Sequence, residues 1–376
     1  MRILFLVTGN GSRSNFVTGY NMRYNHAGLS GTDTTTILVA EYLAKHGYEV
    51  VLACEKPPSD LIERHHSKGY TFTPGNVVNG VTYTYLDLEN IENRTFDIVV
   101  SCLWFEHYDE LPIKVTKAIF YHCHLAWIYF ASNIKEYALK HNLKLGYINI
   151  SQWGEGHHRE NIKYFRNNLP YVKTVIIPNP MTVDVMEEID KLELPRKHKK
   201  VIFPAQWTRG GAVAQRAVRA LGWEEDFTHF DYVNLSTGVD KTTLFTELAK
   251  SDYFFFPQFG SNKTVLKDIH SCAVGEALGM GVIVLSYPLG SHEEYYSGYY
   301  KKLDFPPGVD VERMLSERTT KEPKMDYIKN IIETVNYLES NPIVKEDYRK
   351  RSVQYIRDRF HIDKIGPMWV EFIKQF

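Results

Sequence analysis

Asp268 and Glu276 stand with seven residues between them, in the stretch Lys267-Asp-Ile-His-Ser-Cys-Ala-Val-Gly-Glu276-Ala-Leu-Gly-Met-Gly281. The pattern predicts that Asp268 ends a loop and that Glu276 lies inside the next helix. Ile269, His270, Ser271 and Cys272 would open that helix. The first N–H groups of a helix have no intrahelical acceptor and lie at its positive end, so this opening suits an anion such as a diphosphate. One carboxylate before the helix start and one within it could grip the hydroxyls of a sugar and of a ribose. A second group is Tyr121-His122-Cys123-His124, at the end of an apolar run. His-x-His with Cys permits a zinc reading, but no further ligand is spaced to complete it. His157 and His158 have polar surroundings and read as exposed.

Such groups need a scaffold, and the apolar patterning supplies one. Ile3 to Val7 form a short apolar run ahead of Gly9, as in a central parallel strand. A helix is expected from about Asp33 to His46, capped by Thr32 or Asp33 and stopped by Gly47. Glu49 to Cys54 is the next strand, and strand–helix–strand implies a parallel sheet. Further strands are expected over 97–103, 118–123, 145–151 and 173–177, ended by Pro178-Asn179-Pro180. The charged segment 181–200 reads as an interdomain connection. A second series follows, with strands over 200–205, 229–235, 253–257 and 282–286 and helices over 212–221, 244–250 and 273–280. The fold class is therefore α/β, with two Rossmann-like, doubly wound parallel-sheet domains. Ligands of open parallel sheets sit at the carboxyl ends of the strands, so the facing edges of the two sheets are the expected site.

Composition sets the outer bounds. The chain has 376 residues, enough for two domains. Lys and Arg number 44 against 45 Asp and Glu, so no global charge draws the protein to nucleic acid or anionic lipid. Cys54, Cys102, Cys123 and Cys272 are far apart, which argues against a disulfide framework or a four-cysteine zinc site. No apolar run is long enough to span a membrane, and Ile3 to Val7 is too short for a signal-peptide core. A cytoplasmic protein is expected, with peripheral membrane attachment left open.

The motif around Asp268 and Glu276 resembles that of the GT-B glycosyltransferases, specifically the retaining family 4. That family has Glu-x7-Glu followed by a small-residue stretch; here Asp268 stands in the first acid's place and Glu276-Ala-Leu-Gly-Met-Gly281 follows. Ser30-Gly31-Thr32-Asp33 ahead of Gly47-Tyr-Glu-Val resembles the family's glycine loop, helix and Gly-His-Glu-Val. Val175-Ile-Ile-Pro-Asn-Pro180 looks like its junction motif. Phe203-Pro-Ala-Gln206-Trp-Thr-Arg209-Gly210 is similar to the loop that carries an Arg and a Lys-Gly for the diphosphate. Arg209 takes the Lys position and Gln206 that of the Arg, so Lys263 or Lys267 would have to supply the second cation. In the family a His follows the strand ending near Cys123 and faces the transferred sugar; His124 is the candidate, with His122 the alternative.

The resemblance implies an acceptor-side domain over 1–180, a nucleotide-sugar domain over 181–345 and helices over 346–376 that cross back. It implies retaining sugar transfer from a nucleotide diphosphate sugar to a carbohydrate-bearing acceptor, with no separate cofactor. Asp268 would hold sugar hydroxyls, and Glu276 the ribose diol. Arg209-Gly210, Lys263, Lys267 and the Ile269–Cys272 backbone would hold the diphosphate, with Gly31 and Thr32 in the glycine loop. The sequence contains no Asp-x-Asp, which fits a metal-independent enzyme. Three other readings compete. Gly9-Asn-Gly11-Ser-Arg-Ser14 nearly spells a dinucleotide fingerprint and admits an NAD(P)-dependent oxidoreductase. The same fold also serves non-catalytic nucleotide-sugar binding and sugar-nucleotide epimerisation.

Overall fold

Ile3 to Val7 are buried throughout. In the computed structural model they make up most of β1 (Arg2–Val7). Ile3, Phe5 and Val7 join one core cluster, and Leu4 and Leu6 another, as the two-residue period of a strand requires. The structure describes residues 1–7, 30–56, 59, 62–63, 72–102, 108–123, 131–205, 207–230, 239–258, 270–305, 307–309 and 325–376. The chain divides into two compact units, Met1–Pro180 with Ile362–Phe376, and Met181–His361.

In the first unit β1 leads to α1 (Gly31–Lys45), β2 (Glu49–Cys54), β3 (Val77–Val78), β4 (Val81–Tyr85), β5 (Thr95–Cys102) and β6 (Lys114–Cys123). Then come α2 (Ala131–Lys140), β7 (Lys144–Asn149), α3 (Gln152–His157), α4 (Arg159–Asn168) and β8 (Val172–Ile176). The strands form one sheet in the order β3-β4-β2-β1-β5-β6-β7-β8. β3 pairs antiparallel with β4, and the other neighbours pair in parallel. Ser30, rather than Thr32 or Asp33, caps α1. Its hydroxyl accepts from the Asp33 N–H, and the Asp33 carboxylate accepts from the Ser30 N–H. Gly31 and Thr32 thus lie in the first turn.

The second unit runs α5 (Val183–Asp190), β9 (Val201–Phe203), α6 (Gly211–Ala220), β10 (Phe227–His229), α7 (Lys241–Ala249), β11 (Tyr253–Phe256) and α8 (Cys272–Gly279). It continues with β12 (Ile283–Ser286), α9 (His292–Tyr296), β13 (Lys301–Lys302), α10 (Met325–Ser340) and α11 (Pro342–Phe360). Its strands are all parallel, in the order β10-β9-β11-β12-β13. The segment read as a connection holds α5 instead. Val183, Val185, Met186 and Ile189 are buried, while Asp184, Glu187 and Glu188 face out. Its charge is the solvent face of an amphipathic helix.

The C-terminal helices divide between the units. α11 belongs to the second, because Ile356 and Phe360 are fully buried in its core and the Met181 N–H donates to the Phe360 carbonyl at 2.8 Å. The return to the first unit begins at Ile362 rather than near 346. There α12 (Ile362–Ile373) buries Trp369 and Phe372 beside Phe5 and Phe120. No helix among the described residues is long and apolar enough to cross a membrane.

Candidate functional site

At the carboxyl edge of the second sheet, β9 gives way to a single turn of 3-10 helix, Trp207–Arg209, and then to Gly210. Gly210 has φ +112°, and a Cβ there would lie 2.6 Å from Pro257 Cγ and 3.2 Å from the Gln258 nitrogen. Glycine meets both demands, the positive φ and the missing side chain. The chain leaving β9 is thereby pressed against the chain leaving β11, and the half-buried Arg209 sits at this edge. Gln258 and His292 pin the neighbouring strand ends. The Gln258 amide donates to Ser286 Oγ at 3.2 Å and to the Tyr287 carbonyl at 3.3 Å, and both Gln258 and Ser286 approach His292 Nδ1, at 3.0 and 3.1 Å. All are buried. Sequence reading does not find this cluster, since its members come from three separate segments with no common spacing.

α8 begins at Cys272 with Ser271 as its cap residue. The Ser271 carbonyl accepts from Tyr296 Oη at 2.9 Å, which fixes the helix entry. The His270 ring is buried among Tyr295, Tyr296 and Phe360, with centroids 4.4, 5.9 and 5.1 Å away. Its side chain is packed in an aromatic box, so what this entry offers an anion is backbone. Glu276 is 4% exposed. One of its oxygens, Oε1, accepts from Lys241 Nζ at 2.5 Å, and both side chains are buried. Lys241 is the first residue of α7, whose cap Asp240 accepts from the Thr243 N–H at 2.6 Å. Sequence reading missed Lys241, because a lysine at a helix start, 35 residues from its partner, looks like a solvated charge.

At the carboxyl edge of the first sheet, His122 is buried and meets the Trp369 ring edge-on at 4.9 Å. Next to it, Cys123 Sγ lies 3.2 Å from His158 Nδ1, and Tyr147 Oη lies 2.8 Å from the same nitrogen. Burial, and then the neighbouring Cys123, push the Tyr147 phenol well above its usual range, so it stays protonated beside His158. His158 is therefore not exposed as expected but 1% exposed, whereas His157 is exposed and stacks on Trp153 at 4.6 Å. In α1, Thr36 Oγ1 lies 3.4 Å from Cys102 Sγ at the end of β5. That contact brings the start of α1, with Gly31 and Thr32, to the same sheet edge. His124, Gln206, Lys263, Lys267, Asp268 and Ile269 lie outside the described residues.

Among the described residues, His198, Asp252 and Glu339 form one cluster of metal-ligand type. It lies at the opposite edge of the second sheet, just ahead of β11. The Lys345 ammonium bridges its two carboxylates at 2.7 and 2.6 Å, supplying the cation they need.

The sequence matches no protein-family profile and no curated protein. Solved structures do align with it from end to end. A glycosyltransferase from Rickettsia africae ESF-5 superposes with TM-score 0.58 at 13% identity, over 100% of this chain and 98% of that one. HepE of Anabaena, in complex with UDP-glucose, gives 0.58 at 12% identity over 100% of both chains. Sucrose-phosphate synthase from Thermosynechococcus elongatus gives 0.57 at 12% identity, over 100% of this chain and 98% of that one. The chain has the GT-B fold. In this fold the two units are its two Rossmann-like domains, and Arg209, Gly210, Ser271, Cys272 and Glu276 all belong to the second.

Proposed function

We propose that this GT-B protein is a retaining, metal-independent glycosyltransferase that moves a sugar from a nucleoside diphosphate sugar to a carbohydrate-bearing acceptor. The observation that carries the reading is Glu276: a carboxylate buried in the second turn of a helix that starts at the carboxyl edge of the second sheet. The crystal structure of HepE holds UDP-glucose, a donor of the proposed kind. The sequence supports metal independence, since it has no Asp-x-Asp.

The barrier in such a transfer is departure of the diphosphate while positive charge grows on the sugar ring. Arg209 and the N–H groups at the start of α8 supply fixed positive charge to the leaving group. Lys263 or Lys267 supplies the second cation in place of Gln206. Glu276 accepts from the ribose hydroxyls, Asp268 holds sugar hydroxyls and His124 faces the reacting sugar. Retention follows if the departing phosphate oxygen itself takes the acceptor's proton on the same face of the sugar.

A thermal-shift series with UDP, GDP, ADP, NAD and NADP, with and without EDTA, tests this. One nucleoside diphosphate should stabilise the protein, unchanged by EDTA, and Glu276→Ala should abolish the shift. With the matching donor sugar, NMR of the product should show the donor's anomeric configuration. Stabilisation by NAD or NADP alone would sink the transferase reading.

A further inference from the structure

We infer that Lys241 is a positioning residue of the donor site, tethering one oxygen of Glu276 so that the other meets the ribose hydroxyls. The inference rests on the proposal that Glu276 takes the ribose. Lys241 and Glu276 come from different helices, and side-chain exposures of 7% and 5% put both charges out of water. A buried ion pair is a poor source of stability, because desolvation offsets the attraction. The two helices have no need of it to stay in place. Leu244, Phe245 and Leu248 of α7, and Ala273, Val274, Ala277 and Leu278 of α8, are already buried in one apolar core.

What the pair does supply is direction. Among the described residues Lys241 is the one hydrogen-bond partner of Glu276, and it uses Oε1. That leaves Oε2 to accept from a hydroxyl. The tether itself is held at its base. Asp240 accepts from both the N–H and the hydroxyl of Thr243, each at 2.6 Å, which fixes the first turn of α7. The Lys241 ammonium also lies 5.9 Å from the centre of the Phe245 ring in that helix. A glutamate without this partner would lose rotamer freedom on meeting ligand, and the tether removes that loss beforehand.

The test is titration calorimetry with UDP, GDP and ADP and their 2′-deoxy forms. The proteins are the full chain and its variants Lys241→Met, Lys241→Arg, Glu276→Gln and the Lys241→Met/Glu276→Gln double. The full chain should prefer the ribonucleotide of its matching base by about tenfold, the worth of one hydrogen bond to a charged group. Lys241→Met should lose most of that preference while binding the 2′-deoxy form as before. Lys241→Arg should restore much of it. In the Glu276→Gln background, Lys241→Met should change nothing further. If Lys241→Met does not fold, Lys241→Gln, which keeps Glu276 and whose neutral amide is one bond too short to hold Oε1 as the ammonium does, decides in its place. It too should lose most of the preference, and a retained preference overturns the inference. So does a Lys241→Met protein with the full chain's preference. A full chain that binds the ribonucleotide and its 2′-deoxy form alike removes the ribose role of Glu276 and the inference with it. A full chain that binds no nucleoside diphosphate removes the proposed function itself.

Discussion

Gly210 is where backbone conformation and packing meet at a single residue. Alanine there would have to hold φ +112° and place its methyl 2.6 Å from Pro257. Gly210→Ala should therefore lower stability by about 1–3 kcal/mol, read by urea unfolding, and weaken nucleoside diphosphate binding through displacement of Arg209. Unchanged affinity with lowered stability would separate Arg209 from the diphosphate. The thiols give a second reading of the same edge. Cys54, Cys102 and Cys123 are buried, and burial above all pushes the Cys102 thiol up to about 12. Cys272 is half-buried at the first position of α8. A chromogenic disulfide reagent should thus label Cys272 well ahead of the other three, and the matching nucleoside diphosphate should slow it. Labelling that ignores saturating nucleotide would place the diphosphate elsewhere. Glu276, Arg209 and Gly210 are candidates that local motifs alone single out. Lys241, Gln258, His158 and His292 are not, because what defines each is a partner contributed by a distant segment.

Elements are joined by polar contacts as well as by apolar faces, and Asp97 in β5 shows how. Its carboxylate accepts from the Arg2 N–H of β1 at 2.8 Å and pairs with Lys117 of β6 at 3.3 Å. Burial pushes its pKa up, but the Arg2 N–H and the Lys117 ammonium outweigh that and hold it below the ordinary carboxylate value. A depressed folded-state pKa contributes stability that is present above the unfolded value and is lost as pH falls through the folded one. The first unit should therefore weaken as pH drops below about 4, and Asp97→Asn should flatten that acid limb in thermal melts taken across pH. An unchanged limb would assign it to other carboxylates. The cap of α1 is a smaller device at the same scale. Ser30→Ala should cost about 1 kcal/mol by chemical unfolding, since it leaves the Asp33 N–H without its acceptor. Strand–helix alternation made most of these elements readable in advance. Among those that were not, α5 hides its apolar stripe among charges, and of the strand expected over 229–235 only 229 and 230 are described, with His229 ending β10.

The chain's last helix closes its first unit, and this sets how the molecule should come apart. The second unit is continuous, and among the described residues its core draws on those between 181 and 360. The first has its sheet at one end of the chain and its covering helix, α12, at the other. The boundary at 362 was not legible, because only His361 separates α11 from α12 and both helices carry apolar residues. Contact across the gap is close. A Cβ on Gly366 would lie 2.4 Å from the Tyr42 ring of α1, so α12 packs backbone against aromatic face. Trp369, 1% exposed, meets Phe5 of β1 at 6.2 Å and His122 of β6 at 4.9 Å between ring centroids. Trp369→Ala should therefore cost about 3–5 kcal/mol, and the cost should fall on the first unit. Hydrogen exchange read by mass spectrometry can localise it. Amides of β1, β5 and β6 should exchange faster in the variant, while those of β9, β11 and β12 keep their protection, because the deleted ring belongs to the core of the first unit. Equal loss in both sheets would show that the two units unfold as one, and the ring at 369 would then be holding the whole chain together from its penultimate turns.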